Sequence, residues 1–92
     1  MKVLMLGAGA VGTVSALKFV QDAMLEQLVI ADAVSARASL LADRLSDPRV
    51  SCRRLDAGDR ASVANVIREI GATIVLNAAL PATNLTVMSA CL

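Results

Sequence analysis

Three glycines between two apolar segments constrain the fold of this chain more than any other feature. The segment Lys2–Leu6 is short and apolar and predicts a buried strand, and Gly7–Gly12 follows it with glycine at its first, third and sixth positions. A helical pattern comes next, and a second apolar run, Leu28–Ala31, ends at Asp32. This order of strand, glycine turn, helix, strand and acid is typical of a dinucleotide-binding βαβ unit.

Each glycine has a distinct physical task in such a unit. Gly7 lets the chain leave the strand in a tight turn, and Gly9 lets the backbone approach a pyrophosphate because it has no β-carbon. Gly12 lies in the first helical turn, where it allows the helix to pack tightly on the strands. The start of that helix offers unpaired N–H groups and a partial positive charge. The sequence therefore predicts a phosphate site at the N-terminus of the first helix.

The acid after the second strand bears on the choice of coenzyme. Asp32 follows Gly12 by about 20 residues, the spacing at which a carboxylate accepts hydrogen bonds from the adenosine ribose. It would also repel a 2′-phosphate at close range, which favours NAD over NADP as the cofactor. Arg37 is the opposing observation, because an arginine near this acid can hold a 2′-phosphate. The alternative for the whole motif is an ordinary glycine turn followed by a solvated aspartate.

Composition agrees with one small α/β domain and argues against several other classes. The 92 residues are 57% hydrophobic but only 1% aromatic, as expected for parallel strands covered by alanine-rich helices. The net charge of +1 and the scattered basic residues predict no nucleic-acid partner. Cys52 and Cys91 lack metal-site spacing, and the chain has no histidine, so we expect two buried apolar cysteines and no metal. Without a signal-peptide pattern or an apolar span, we expect a cytoplasmic location and no membrane partner.

Hydrophobic periodicity predicts two helices and a third strand after the glycine loop. The first helix is predicted over Val11–Met24. Its inward side chains are predicted to be Val14, Leu17, Val20 and Met24, with Phe19 beside them. The second helix has Ser35 as a candidate N-cap and ends before Pro48. The third strand, Val50–Leu55, has a mixed pattern that predicts a position near the sheet edge.

A third helix and a fourth strand complete the alternation. Asp59 is the predicted N-cap of this helix and Gly71 its C-terminal stop. The apolar side of the helix consists of Val63, Val66, Ile67 and Ile70. The strand Thr73–Ala78 is β-branched and strongly apolar, which predicts a central position in the sheet. A last helical segment, Asn84–Leu92, follows Pro81.

Right-handed crossovers between parallel strands give these elements the order 3-2-1-4. The predicted fold class is α/β, a Rossmann-type doubly wound parallel sheet that is truncated after the fourth strand and the following helix. The first and fourth strands are then neighbours where the winding reverses. A dinucleotide lies in the crevice above their carboxyl ends. We therefore expect residues 77–83 to face the ribose or nicotinamide half of the cofactor.

The last part of the chain resembles a known family. Asn77–Leu92 reads NAALPATNLTVMSACL and closely resembles the N-A-x-P…N-L-x-V-M-x-A-C stretch of the saccharopine dehydrogenase (saccharopine reductase-like) family. The opening segment Lys2–Gly12 and the pair Leu55–Asp56 look like that family too. The glycine motif is shared by many dehydrogenases, whereas the final segment is much more particular.

This resemblance implies an NAD(P)-dependent oxidoreductase that makes or breaks a C–N bond between an amino acid and a keto acid or aldehyde. Matched by position, the cofactor-binding residues would be Gly7, Gly9, Ala10, Val11 and Gly12 at the phosphates, Asp32 at the ribose, Asp56 and Ala57 near the adenine, and Asn77, Ala78 and Ala79 along the inner ribose. Two of these have structural alternatives. In the alternative for Asp56, this residue begins a turn and has no contact with the cofactor. In the alternative for Asn77, its side chain satisfies backbone groups at the end of a strand.

The chain departs from that family in its length. Family members carry a large second domain that makes most substrate contacts, whereas this chain ends at Leu92. We therefore expect an NAD(P)-binding domain over residues 1–92, as the N-terminal fragment of a larger two-domain enzyme. The chain has no histidine or tyrosine and no plausible lysine to move protons, so no catalytic residue is assigned to it. A small amino-acid-type substrate would bind through the missing domain, and a homodimer is left open.

Two other functions remain as alternatives. One is a non-catalytic NAD-sensing regulatory domain of the type attached to channels and transporters, which uses the same glycine loop and acid. The other is a nucleotide-binding remnant that mainly mediates association through the unpaired far side of the fourth strand. The particular sequence of Asn77–Leu92 favours the dehydrogenase.

Overall fold

Four strands and three helices alternate along the chain. A computed structural model describes residues 1–78. Its elements are β1 (Lys2–Leu6), α1 (Ala10–Val20), β2 (Gln27–Asp32), α2 (Ser35–Leu45), β3 (Val50–Arg54), α3 (Arg60–Ile70) and β4 (Ile74–Asn77). The strands form one parallel sheet in the order β3-β2-β1-β4. The predicted strand order is confirmed, while the predicted helix Asn84–Leu92, Cys91 and Ala79 lie outside the described residues.

The register of the sheet brings the carboxyl ends of its strands to one edge. Leu6, the last residue of β1, lies opposite Ala31 of β2 and Asn77 of β4. At the next pair of strands, Asp32 of β2 lies opposite Arg54 of β3. The glycine loop begins directly after Leu6, so it leaves the sheet between these strand ends.

Alternation along β1 divides the core into two layers. Val3 and Met5 pack with the layer that contains α1 and α2, where Ala16 and Leu41 are buried. Leu4 and Leu6 pack with the other layer, against α3. The buried α3 residues there are Val63 and Val66. Because both faces of β1 and β2 are covered, these strands are almost continuously apolar in sequence.

The first helix differs from the prediction in its length and in its buried face. α1 ends at Val20, and Met24 beyond it is 73% exposed. Val14 and Leu17, both predicted to face inward, are 56% and 48% exposed. Ala16 is fully buried instead.

The small residues of α1 explain which of its faces is buried. Gly12, Ala16 and Val20 lie four residues apart and therefore share one face of the helix. Gly12 and Ala16 are buried and Val20 is half-buried against the core. Their small side chains let the helix approach the sheet closely, and the larger residues are then left on the outer face.

Arg49 holds the end of α1 against the start of β3. Its guanidinium donates to the carbonyl oxygens of Val20 at 2.7 Å, Asp22 at 3.1 Å and Leu25 at 3.3 Å. It also pairs with Asp47, with 2.6 Å between Nη2 and Oδ2. The side-chain hydrogen bond from Arg49 lowers the pKa of Asp47 to about 2. The bond to Val20 satisfies a carbonyl in the last turn of α1, where the helix itself supplies no donor.

Predictions for the ends of the other helices have mixed outcomes. Asp59 caps α3 as predicted, since its carboxylate accepts a hydrogen bond from the Ser62 N–H. Gly71 ends that helix in the left-handed conformation, with φ of 65°. The predicted cap Ser35 is wrong, because Ser35 is already helical and the capping position is held by Val34.

One prediction of burial is wrong, and one prediction of position in the sheet is not met among residues 1–78. Cys52 is exposed on β3, because β3 is an edge strand that pairs only with β2 in the described part of the chain. The fourth strand was expected to be central, yet among residues 1–78 β4 forms the opposite edge, and Ile74 is 39% exposed. Its apolar sequence therefore reflects packing on its faces: Val75 and Leu76 are half-buried against the two core layers.

Candidate functional site

The loop between β1 and α1 begins at a glycine with a left-handed backbone. Gly7 has φ of 99°, which favours glycine over residues with a side chain. Its N–H donates to the Ala31 carbonyl at 2.7 Å, one step beyond the regular pairing of β1 with β2. The chain therefore stays attached to β2 until the point where it turns away toward α1.

The two later glycines of the loop have different structural reasons. A β-carbon at Gly12 would overlap the carbonyl oxygen of Gly7. A β-carbon at Gly9 would meet no atom of residues 1–78 within 4 Å. Gly12 is thus required by the packing of the protein itself, whereas the space beside Gly9 is available to a ligand.

The start of α1 faces this space without a side-chain cap. Gly9 is the N-cap and Ala10 is the first helical residue, and a glycine has no side chain with which to cap the helix. Val11 is 68% exposed. Thr13, which the sequence prediction missed, donates its hydroxyl to the Gly9 carbonyl at 3.0 Å and steadies the loop. The helix N-terminus can therefore offer its N–H groups and its partial positive charge to an anion.

Asp32 joins the end of β2 to the glycine loop. Its Oδ2 accepts a hydrogen bond from the Ala8 N–H at 2.9 Å, and its Oδ1 accepts one from the Val34 N–H at 2.8 Å. The residue is only 9% exposed. A carboxylate has about four lone-pair sites, so it retains acceptor capacity for a ribose hydroxyl.

The remaining predicted residues that lie within residues 1–78 are found along the same edge of the sheet. The Leu55 N–H donates to the Asp32 carbonyl at 3.1 Å, which places Asp56 directly beyond the end of β2. Asp56 is exposed, and its Oδ1 accepts a hydrogen bond from Gly58 N–H at 2.8 Å. Asp56 therefore takes part in a turn, as the structural alternative for this residue predicts. The half-buried Ala57 packs against the core layer that contains α3.

On the other side of the loop, β4 ends beside β1. Asn77 lies opposite Leu6, and the Ala78 N–H donates to the Leu6 carbonyl at 2.7 Å. Both residues are half-buried. The structure thus brings the glycine loop, Asp32, Asp56 and Asn77 to one edge, where the resemblance predicts a dinucleotide.

Two neighbouring arginines of β3 have different surroundings. Arg53 pairs with Glu69 of α3 through bonds of 2.8 and 3.2 Å. Its hydrogen bond lowers the pKa of that carboxyl group. Arg54 is exposed, and its Nε donates to the Ala33 carbonyl at 3.3 Å, immediately after Asp32. Sequence reasoning did not single out Arg54, since only the pairing of β3 with β2 places it beside the predicted ribose acid.

Two further features, a metal-binding group and a membrane-spanning helix, are absent from the described part of the chain. Within residues 1–78, no group of three histidine, cysteine, aspartate or glutamate side chains could hold a metal ion. No helix of these residues has both the length and the apolar character needed to cross a membrane. The edge that carries the glycine loop is the candidate functional site because it brings that loop, Asp32 and Asn77 together.

Comparison with known sequences identifies the family. A family model described as the saccharopine dehydrogenase NADP binding domain matches residues 3–92. The carboxyaminopropylagmatine dehydrogenase of Synechocystis sp. is 32% identical over 91 residues, covering 99% of this chain and 23% of that protein. The chain thus spans about a quarter of the length of this curated relative.

Solved structures of dehydrogenases share the fold. Quinate dehydrogenase from Corynebacterium glutamicum, in complex with NAD, matches with a TM-score of 0.68 and 28% identity over 89% of this chain and 29% of its own. The 3-hydroxyacyl-CoA dehydrogenase type-2 from Mycobacterium avium matches with a TM-score of 0.63 and 22% identity, over 84% of this chain and 31% of its own.

These matches agree with the residues from which the family was predicted. The predicted cofactor class, NAD or NADP, is confirmed by the family match and the NAD-bound relative. The preference for NAD over NADP stays a prediction, as do the roles of the individual binding residues. The chain belongs to the saccharopine dehydrogenase NADP binding domain family.

Proposed function

We propose that this chain is the dinucleotide-binding domain of a larger, two-domain oxidoreductase that acts on a C–N bond of an amino-acid-derived secondary amine. A nicotinamide bound by the domain would exchange a hydride with the amine carbon. The residues of this chain hold and orient the coenzyme, and no catalytic residue is assigned to them. The substrate would be held mainly by the second domain. We expect a cytoplasmic enzyme whose partners are the coenzyme and a small amino-acid-type molecule.

The observation that carries this proposal is the open space beside Gly9. It lies in front of the uncapped N-terminus of α1. A pyrophosphate there would meet backbone N–H groups and the positive end of the helix. Asp32 lies beside the same loop, held by the Ala8 N–H, where its carboxylate can accept from the ribose. The phosphate and ribose groups of one dinucleotide can thus be bound by adjacent parts of this edge.

The relatives support a catalytic role for the parent protein. The curated relative is named a dehydrogenase of carboxyaminopropylagmatine, which supports a carboxylated amine as the class of substrate. The two structural relatives are also dehydrogenases. These names favour an oxidoreductase over an NAD-sensing regulatory domain.

The binding role can be tested by a fluorescence titration of the chain with NADH. The chain has no tryptophan and no tyrosine, so the coenzyme emission is nearly free of protein background. We expect saturable binding that a Gly9→Val substitution abolishes, because the side chain would occupy the pyrophosphate position.

A matched variant separates this effect from a general loss of structure. Ala61→Val adds comparable bulk at an exposed position of α3, in the other layer, and should leave NADH binding unchanged. Absence of NADH binding by the unaltered chain, with far-UV circular dichroism showing that it is folded, would contradict the proposed function. Unchanged affinity of the Gly9→Val variant would remove the phosphate-loop assignment.

A further inference from the structure

We propose that Arg54 is a coenzyme-specificity residue that binds the ribose 2′-phosphate of NADP(H), so that this domain accepts NADP(H) in spite of Asp32. The inference rests on the proposed function, because it names a residue of the same dinucleotide site. It goes beyond that function by assigning the 2′-phosphate contact to the end of β3.

The pairing of β2 with β3 places Arg54 beside the ribose acid. Arg54 and Asp32 are register partners at the ends of these parallel strands. The Arg54 Nε donates to the Ala33 carbonyl at 3.3 Å, so the guanidinium lies at the residue that follows Asp32. This bond uses one of the five N–H groups of the side chain. The other four are on the terminal nitrogens, which form the pair of parallel bonds typical of arginine with phosphate.

A groove next to Arg54 is large enough for a phosphate group. It has a volume of about 390 Å³ and runs between the first turns of α2 and the outer part of β3. Its lining residues are Ser35, Ala36, Ser39, Cys52, Arg53 and Arg54. Two serines and the exposed Arg54 thus lie around one concave surface.

The start of α2 favours negative charge in the same place. Val34 holds the capping position, where its apolar side chain cannot cap the first turn, and its N–H donates to Asp32 Oδ1. The N–H groups of the first helical turn and the positive end of the helix dipole lie near the groove. Arg54 adds a full positive charge to this region, whereas the end of the helix contributes only a partial one.

The carboxylate of Asp32 is the obvious objection, since it would repel a 2′-phosphate. Both of its oxygens, however, accept hydrogen bonds from backbone N–H groups, those of Ala8 and Val34. These bonds disperse part of the negative charge and keep the carboxylate in place at the end of β2. When the 2′-hydroxyl is phosphorylated, Asp32 can still accept a hydrogen bond from the 3′-hydroxyl. The positive charge of Arg54 then offsets the repulsion between the Asp32 carboxylate and the 2′-phosphate.

The test compares NADH and NADPH binding to the chain and to its Arg54→Ala variant, by coenzyme fluorescence. We expect the Kd for NADPH to rise about tenfold, because a charge-assisted bidentate contact is lost. The Kd for NADH should change by less than about twofold, since NADH has no 2′-phosphate. Arg54→Lys should give an intermediate loss for NADPH, because lysine keeps the charge but not the planar pair of donors.

Two further arginines of α2 serve as controls. Arg44→Ala removes the same charge from the last turn of the helix and should leave the ratio of the two Kd values unchanged. Arg37→Ala removes the arginine that the sequence alone suggested for the 2′-phosphate. A selective loss of NADPH binding in Arg37→Ala, and not in Arg54→Ala, would overturn the assignment of Arg54.

The outcomes separate this inference from the proposed function. Normal NADH binding with an unchanged ratio of Kd values in Arg54→Ala would overturn the role of Arg54 alone. The same holds if the unaltered chain binds NADH but not NADPH. Failure of the folded chain to bind either coenzyme would overturn the proposed function and the role of Arg54 together.

Discussion

The carboxylate of Asp32 accepts a hydrogen bond from the backbone N–H of Ala8, with 2.9 Å between Oδ2 and the nitrogen. This bond links the end of β2 to the middle of the glycine loop. Asp32 therefore has two tasks, one in shaping the loop and one as the predicted ribose acceptor. A substitution at this residue should affect both the stability of the domain and its affinity for a coenzyme.

We predict that Asp32→Asn lowers the free energy of unfolding by about 1–3 kcal/mol, because an amide cannot accept from both N–H donors as a carboxylate does. It should also raise the Kd for NADH about tenfold, since hydrogen bonds to a charged acceptor are the stronger ones. Urea unfolding followed by circular dichroism and NADH titration measure the two effects. Asp43→Asn, at an exposed site of α2, is the control, and equal behaviour of the two variants would contradict both roles.

Gly12 and Gly9 should respond differently to the same small substitution. Gly12→Ala places a methyl group onto the Gly7 carbonyl oxygen, and we expect it to destabilise the fold by about 1–3 kcal/mol, the usual range for overpacking. The methyl group of Gly9→Ala would enter open space among residues 1–78. The backbone at position 9 is extended, a conformation that alanine adopts readily, so the thermal midpoint of this variant should be nearly unchanged. Equal losses of stability in the two variants would show that the loop packing is described wrongly.

The buried face of α1 can be tested by a pair of neighbouring substitutions. Ala16 is fully buried against the sheet, whereas Leu17 is 48% exposed. Ala16→Leu should destabilise the domain by about 2–3 kcal/mol through overpacking, while Leu17→Gln should change stability by less than about 0.5 kcal/mol. Chemical denaturation of both variants measures these differences. A larger loss of stability in Leu17→Gln than in Ala16→Leu would support the buried face that the sequence predicts for this helix, the one that contains Leu17.

The Asp47–Arg49 pair should contribute to stability in a defined range of pH. The hydrogen bond from Arg49 lowers the pKa of Asp47 from 3.8 to about 2 in the folded chain. The unfolded chain therefore takes up this proton at a higher pH than the folded chain does. The stabilisation is complete above pH 3.8 and is lost as the pH falls through about 2.

Thermal melts of the chain and of Asp47→Asn check this expectation. The difference between their midpoints should be constant from neutral pH down to about pH 5 and should shrink as the pH falls through about 2, where Asp47 becomes protonated in the folded chain as well. A difference that does not depend on pH would mean that the ionised form of Asp47 has no part in holding Arg49 and the end of α1.

Much of the fold follows from local sequence signals. The glycine spacing, the apolar strands and the stop at Gly71 are features of short segments, and the structure agrees with each of them. The strand order also follows, because right-handed crossovers leave few ways to arrange four parallel strands. The family could be predicted for a similar reason, since the glycine loop and the segment Asn77–Leu92 are contiguous motifs.

Tertiary contacts decided the features that depend on distant segments. The buried face of α1 follows its smallest residues, Gly12 and Ala16, because close approach to the sheet is what the packing selects. Cys52 is exposed because β3 has a neighbour on one side only in the described part of the chain. Arg54 reaches the residue after Asp32 through the pairing of β3 with β2. A pattern within one segment cannot specify such contacts, since each depends on which surface another segment presents to it.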